Sequence, residues 1–309
     1  MAEILLSLTI IGVVAAITLP SLTGNINERT WNTQRKALYA RFSQAIALMP
    51  ALNGFGTLIE ETDSAGSTSI EDTAAETFVT SGLSKVLKIN NICDNEHLQD
   101  CGITSSWTTM NGSAISVPAT MQDLNPFIVS NSYPGVEFSQ INTKAAAFET
   151  ANGESVLVYY APGCQPNNNE TTEHNSQAKM CANFVFDMNG NKGPNTVGKD
   201  IGFLTVFYPI DSKVVAPIPY QRDAGTNIAQ EDASAACTAQ DPEYRIPNMY
   251  EMASLFTNKD LIGNITSSVG YNTSSVLSST QAWRVGTQSG NFWVGEKSLA
   301  RYLRCVKRN

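Results

Sequence analysis

Residues 2–20 read AEILLSLTIIGVVAAITLP, and the reading of this stretch decides how the rest of the chain is understood. From Ile4 to Leu19 it is apolar apart from Ser7, Thr9 and Thr18, with the acid Glu3 at its front edge, and no further charge arrives until Glu28. About 20 apolar residues span a bilayer, so the run suits hydrocarbon or a fully apolar helix bundle. Beyond it, Trp31, Leu38, Phe42, Ala45, Ile46 and Met49 recur at spacings of three, four and seven, which places them on one side of a helix with Arg35, Lys36 and Arg41 elsewhere. Residues 1–50 thus form one helical element meeting two solvents. Pro50, Gly54 and Gly56 end it. A secretory signal peptide wants a basic region before its apolar core, and here that place is acidic. A simple anchor gains nothing from a carboxylate at its edge, whereas an ionisable residue beside hydrocarbon is by default a functional one.

Composition narrows the class. The 309 residues carry a formal net charge of −8, and only 16% are charged, which argues against a nucleic-acid surface because phosphate binding wants clustered Lys and Arg. The basic end, Arg301, Arg304, Lys307 and Arg308, reads as a solvated terminus. Abundant Asn, Ser and Thr suit a bacterial surface protein. Six cysteines beside an export segment read as three disulfides, and no C-x-x-C pair supports a zinc or redox site. Cys93 and Cys101 bracket the polar loop DNEHLQD and are expected to bridge locally, while Cys164 and Cys181 close a second polar excursion. His97 and His174 are the only histidines, both inside those loops. Without H-E-x-x-H, G-x-S-x-G or a glycine-rich phosphate loop, nothing argues for an enzyme.

Along the chain, Ser69 followed by Glu71 and Asp72 starts a helix whose apolar face is Phe78, Val79, Leu83, Val86 and Leu87. Strands are expected over Glu154–Tyr160, after an Asn152-Gly153 turn, and over Ala182–Phe186 and Ile201–Tyr208. Between the last two lies a loop rich in oxygen donors, with Asp187, Asn189, Asn191, Asn195 and Asp200 as candidate calcium ligands. It is no EF-hand, since Lys192 and Gly198 occupy the glycine and bidentate-glutamate positions. Turn chemistry alone, with Asn-Gly and Gly-Pro steps, is the other reading. Val214–Tyr220 (VVAPIPY) reads as a stiff connection, dividing the chain into residues 1–50, a globular part 51–213 and a terminal part 214–309.

The run from Ala2 to Pro20 resembles the N-terminal segment of type IV pilins and type II secretion pseudopilins. The resemblance implies an α+β fold, a long helical spine packed on a small antiparallel sheet, with the helix about 70 Å long if continuous. It implies that Glu3 is neutralised by the N-terminal amine of a neighbouring subunit, that Pro20 bends the helix, and that Gly12, with Ala15 and Ala16, lets helices approach closely. Two residues precede Glu3 where the family usually has four, and the family's cleaved basic leader would end in glycine just upstream. The implied partners are other pilin or pseudopilin subunits, an assembly platform, a prepilin peptidase and the bacterial inner membrane, followed by a periplasmic or extracellular filament. The Asp187–Asp200 loop is similar in place to the calcium loop of major pseudopilins.

Residues from about Tyr220 to Asn309 resemble a bacterial surface domain related to the C-type-lectin-like fold. The resemblance rests on Asp232–Cys237, Tyr244-Arg245-Ile246-Pro247-Asn248 leading into a helix with Glu251, Ser278-Ser279-Thr280 as a strand, Ala282-Trp283-Arg284-Val285, and Arg304-Cys305-Val306. Leu277 stands where the family's first tryptophan is usual. The resemblance implies a Cys237–Cys305 bridge and a structural Arg245–Glu251 pair. Trp283, Phe292 and Trp293 offer either sugar stacking or core packing, and the calcium-lectin triplets Glu-Pro-Asn and Gln-Pro-Asp are absent. Together these features describe a structural, minor filament subunit with an adhesive role toward a surface glycan or protein. The alternative is a membrane-anchored lectin-like protein that does not polymerise.

Overall fold

A computed structural model describes residues 30–49, 73–125, 143–161, 180–207, 221–263, 265, 269–286 and 292–307, with backbone only at 221–226. Residues 30–49 form helix α1, whose stripe of Leu38, Phe42, Ala45, Ile46 and Met49 is buried. Phe42 meets Phe184 edge-on at 5.1 Å and stacks near Phe148 at 6.0 Å. Both rings belong to a five-stranded antiparallel sheet in the order β1 (Ile89–Cys93), β4 (Ala146–Thr150), β5 (Ser155–Tyr160), β6 (Met180–Asp187), β7 (Ile201–Phe207). The amphipathic helix on an antiparallel sheet is therefore present, and it gives a mixed α+β fold.

Every residue of β5, β6 and β7 is buried, because the sheet is covered on both faces. On one face lies α1. On the other lies α5 (Met249–Thr257), reached through a buried polar network: Asn183 Nδ2 donates to Asn258 Oδ1 at 2.8 Å, the Thr205 hydroxyl donates to Asn183 Oδ1 at 2.7 Å, and Thr205 and Ser254 share a hydrogen bond of 2.6 Å.

Helix α2 (Ala74–Thr77) opens into a π-helical turn over Phe78–Gly82 and a 3-10 turn over Leu83–Lys85, so the single expected helix is three short ones. The hydroxyls of Thr80 and Ser84 donate back to the carbonyls of Glu76 and Thr80, which competes with regular helix hydrogen bonding. Gly82 lets Met49 of α1 close in, for a Cβ there would stand 2.9 Å from its Cε. The hairpin of β2 (Ser106–Thr108) and β3 (Ala114–Ser116) buries Trp107, and α3 (Met121–Leu124) follows with a Thr120–Asp123 capping box.

The terminal part builds a second sheet in the order β12 (Phe292–Glu296), β11 (Gln281–Gly286), β10 (Gly270–Val276), β13 (Arg301–Lys307), β8 (Gln221–Ile228), with β9 (Tyr244–Arg245) also on β13. Only the β10–β13 pairing is parallel. Helix α4 (Gln230–Gln240) buries Ala233 and Cys237 against Leu303 and Cys305, and Cys237–Cys305 is a disulfide. Helix α6 (Lys259–Ile262) continues from α5. Asn248 and Glu251 form a capping box at the start of α5, and the Glu251 carboxylate also takes two hydrogen bonds from Arg245, at 2.7 and 2.8 Å. Ser278–Thr280 lie in the turn between β10 and β11, not in a strand, since the Ser278 hydroxyl accepts the N–H groups of Thr280 and Gln281 and the Ser278 N–H donates to the Gln281 carbonyl.

One core cluster runs from Leu38 in α1 through the first sheet to Phe256 in α5 and Phe292 in β12. Tyr250 links the two sheets directly, 5.8 Å from Phe207 and 5.6 Å from Phe292. The expected connection at 214–220 lies outside the described residues. Replacing Asn183 with Leu removes the partners of Asn258 and Thr205 at this junction, and leaving buried polar groups unpaired should lower the unfolding free energy by roughly 2–4 kcal/mol. Denaturant unfolding of the full chain in detergent measures it, and a wild-type midpoint would contradict it.

Candidate metal centre

The link between β6 and β7 starts at Asp187 and ends at Asp200, both almost fully buried. Its path is set by Gly190 at φ 61, Gly193 at φ 70 and Asn195 at φ 48, left-handed conformations that the Asn-Gly and Gly-Pro steps accommodate. Asp200 organises the far side: its carboxylate accepts the backbone N–H groups of Asn195 and Thr196, each at 2.8 Å. Asp187 Oδ1 accepts the Asn189 N–H at 3.1 Å. The Asn189 amide donates to the Gly193 carbonyl at 2.7 Å, which fixes its orientation.

Three side-chain oxygens in this loop are buried with no hydrogen-bond partner: Asp187 Oδ2, Asn189 Oδ1 and Asn195 Oδ1. Each such acceptor costs about 1–3 kcal/mol if left unsatisfied, and three in one short loop make it the candidate cation site. All are hard oxygen donors. Two carboxylates balance a divalent charge, and with loop carbonyls or water the set reaches the coordination calcium prefers. An all-oxygen set suits a hard cation better than a soft one, and it holds only two carboxylates: among the described residues no three His, Cys, Asp or Glu side chains come together at a metal-binding spacing. Burial pushes the Asp187 carboxyl up to about 7, and the neighbouring Asp200 charge adds to the shift.

The site is held from outside by two elements. Strand β2 pins it through Thr108, which donates to the Asn195 carbonyl at 2.8 Å and accepts from Val197 at 2.9 Å. Helix α1 pins it through Arg35, whose guanidinium donates to the carbonyls of Gly198, at 3.3 Å, and Lys199. Arg35 is 6% exposed, so its expected place away from the apolar stripe is corrected. Arg41 likewise turns inward, to the buried Glu154 at 2.5 Å, and only Lys36 stays exposed. The sequence carried a signal for Arg35. Trp31, Arg35, Leu38, Phe42, Ala45 and Met49 follow one another at steps of four and three, so the arginine stands in the stripe itself.

Of the five expected ligands, Asp187 and Asp200 are buried at the two ends of the loop, and Asn189 and Asn195 each bury a side-chain oxygen within it. Asn191 is exposed on the 3-10 turn Gly190–Lys192, and its side chain is not among the buried unpartnered ones. Cys93–Cys101 is a disulfide, and Cys181 is disulfide-bonded, while Cys164 lies outside the described residues. Glu3, Gly12, Pro20 and His174 also lie outside them. Among the described residues no helix is long and apolar enough to cross a membrane. His97 is exposed and paired with Asp94 at 2.7 Å. The three aromatics do not form one sugar platform: Phe292 is buried opposite Val285, and Trp293 pairs with Arg284 on the reverse face of the sheet, where Arg284 and Arg301 flank its ring at 5.1 and 5.6 Å. No protein-family model matches the chain, and no curated protein matches it.

The Asp187 shift fixes a pH dependence. Unfolded, the group titrates near 3.8; folded and free of metal, near 7. Its contribution to stability is therefore complete below about pH 4 and is lost as pH rises through 7, a change on the order of 4 kcal/mol. After removal of divalent ions, the melting temperature should fall between pH 4 and 7. Saturating calcium should reverse the trend near neutrality, and Asp187→Asn should flatten the metal-free profile. Identical profiles with and without calcium would contradict the assignment.

Proposed function

We propose that this chain is a structural subunit of a type IV pilus or type II secretion pseudopilus, carried by its N-terminal helix and loaded with calcium in the Asp187–Asp200 loop outside the cytoplasm. The observation that carries the reading is α1: its one-sided stripe is seated on an antiparallel sheet, and in the sequence residues 20–29 separate it from the apolar run with Glu3 at its edge. A helix built this way has a half that the globular body covers and a half that only lipid or other helices can cover.

The division of labour follows. Glu3 sets register, because a carboxylate at the hydrocarbon edge is tolerated once a neighbouring amine neutralises it. Pro20 supplies the bend, and Gly12 the close approach. Asp187, Asn189, Asn195 and Asp200 would hold the cation, which supplies charge balance and cross-links the loop. Disulfides at Cys93–Cys101 and Cys237–Cys305 suit an oxidising compartment. The terminal unit, fixed to the sheet through α5, suits an adhesive or specialised role in a minor subunit.

Glu3→Ala is the discriminating change. It should reduce incorporation into sheared filaments at least about tenfold, the loss expected of a coupling worth 1.4 kcal/mol or more, while the membrane-inserted amount stays constant. Unchanged incorporation would contradict the role given to Glu3. Absence of the wild-type chain from any filament would favour the anchored, non-polymerising receptor.

A further inference from the structure

The loop and the spine helix are joined by one side chain. Arg35 leaves the apolar stripe of α1, passes beside Gly202, and ends on the carbonyls of Gly198 and Lys199. Gly202 makes room for Phe186, whose Cζ would stand only 2.6 Å from a Cβ there, while Arg35 Cδ, at 3.6 Å, would be in ordinary contact with it. Phe186 is the cross-strand partner of Gly202 and the residue before Asp187. The carbonyls that Arg35 grips belong to the same tight turn as the cage. Lys199 N–H donates to the Thr196 carbonyl at 3.0 Å, Gly198 N–H donates to the Ile201 carbonyl at 2.9 Å, and Asp200 holds the N–H groups of Asn195 and Thr196.

We propose that Arg35 is a positioning residue that couples divalent-cation occupancy of the Asp187–Asp200 cage to the docking of helix α1 on the sheet. The proposal rests on the cation reading of the loop. Without the cation, the turn is held by its own hydrogen bonds and is looser for lacking a bond that joins Asp187 to Asp200. The two carbonyls that Arg35 grips are then less rigidly placed, and the hold of the loop on α1 is weaker. With the cation, the turn is locked and the guanidinium has two fixed acceptors. Coupling of this kind is reciprocal: the factor by which cation binding slows opening of α1 is the factor by which an undocked α1 weakens cation binding. The proposed filament would thus take subunits whose spine is held to the body only where divalent cations are plentiful.

The test uses the full chain in detergent micelles, with two readouts on the wild type, Arg35→Met and Arg35→Lys. Terbium luminescence excited through tryptophan, competed with calcium, reports occupancy. Hydrogen exchange of the amides in residues 35–46 reports docking of α1. In the wild type, calcium should slow that exchange about tenfold, within the usual range of coupling between sites. In Arg35→Met the cage should still take terbium, more weakly by about the same factor, while the helix amides no longer respond to calcium. Arg35→Lys, which keeps the charge but not the fork that reaches two carbonyls, should respond in between, and it gives the same comparison if the methionine variant does not fold. Wild-type response in the folded variants would overturn the coupling and leave the cation site standing. Absence of terbium and calcium uptake by the wild type would overturn both.

Discussion

The fold depends on one contact, the seating of the α1 stripe on the antiparallel sheet. Phe42 fills the gap between Phe148 and Phe184, and Leu38, Ala45, Ile46 and Met49 extend the seal along the helix. Burying a side chain of this size contributes about 1.5–3 kcal/mol, so the stripe is a dominant reason for α1 to stay on the body. Two arginines complete it. Arg41 closes one side on Glu154, and Arg35 enters the stripe itself and is made tolerable by backbone carbonyls. A buried guanidinium is expensive unless its donors are used, and here their use ties the helix to a loop with unusual chemistry of its own.

That loop is unusual because its polar atoms do not close among themselves. Asp200 is satisfied by two backbone donors, yet Asp187, Asn189 and Asn195 each keep one oxygen buried and unmet. Local turn chemistry accounts for the glycines and for the Asn189–Gly193 bond, but not for these three acceptors. The proposed divalent cation would give these acceptors a partner and balance the charge of the two carboxylates. The loop and the helix are then parts of one arrangement.

Much of this was legible in the sequence where burial on two faces writes a continuous apolar run. SVLVYY and the strands on either side of the oxygen-rich loop were placed to within a few residues for that reason. The edge strands β1, INNIC, and β8, QRDAGTNI, were not, because a polar edge strand carries no periodic signal and is defined by the strand that pairs with it. Helix α2 was legible as helical but not in its π turn, which depends on Thr80, Ser84 and Gly82 acting together against Met49. In the loop, composition marks the oxygen-bearing residues, yet it does not separate the exposed Asn191 from Asn195, whose side-chain oxygen is buried. That distinction lies in backbone direction, with Asn195 at a positive φ and Asn191 on an outward turn. For Arg35, spacing along the helix is a better guide to burial than residue type.

The terminal unit changes how the body is understood. Helix α5 belongs to both sheets, with Ser254 and Asn258 reaching Asn183 and Thr205 on one side and Tyr250 touching Phe292 on the other. The first sheet is thereby clamped between α1 and α5, and the strands that bear Asp187 and Asp200 run through the middle of that clamp. The most direct test of this arrangement is anomalous diffraction from crystals grown with a lanthanide in place of calcium. The account requires a single peak within about 2.3–2.6 Å of oxygens from Asp187, Asn189, Asn195 and Asp200. A cage that stays empty while the lanthanide binds elsewhere on the chain would contradict it.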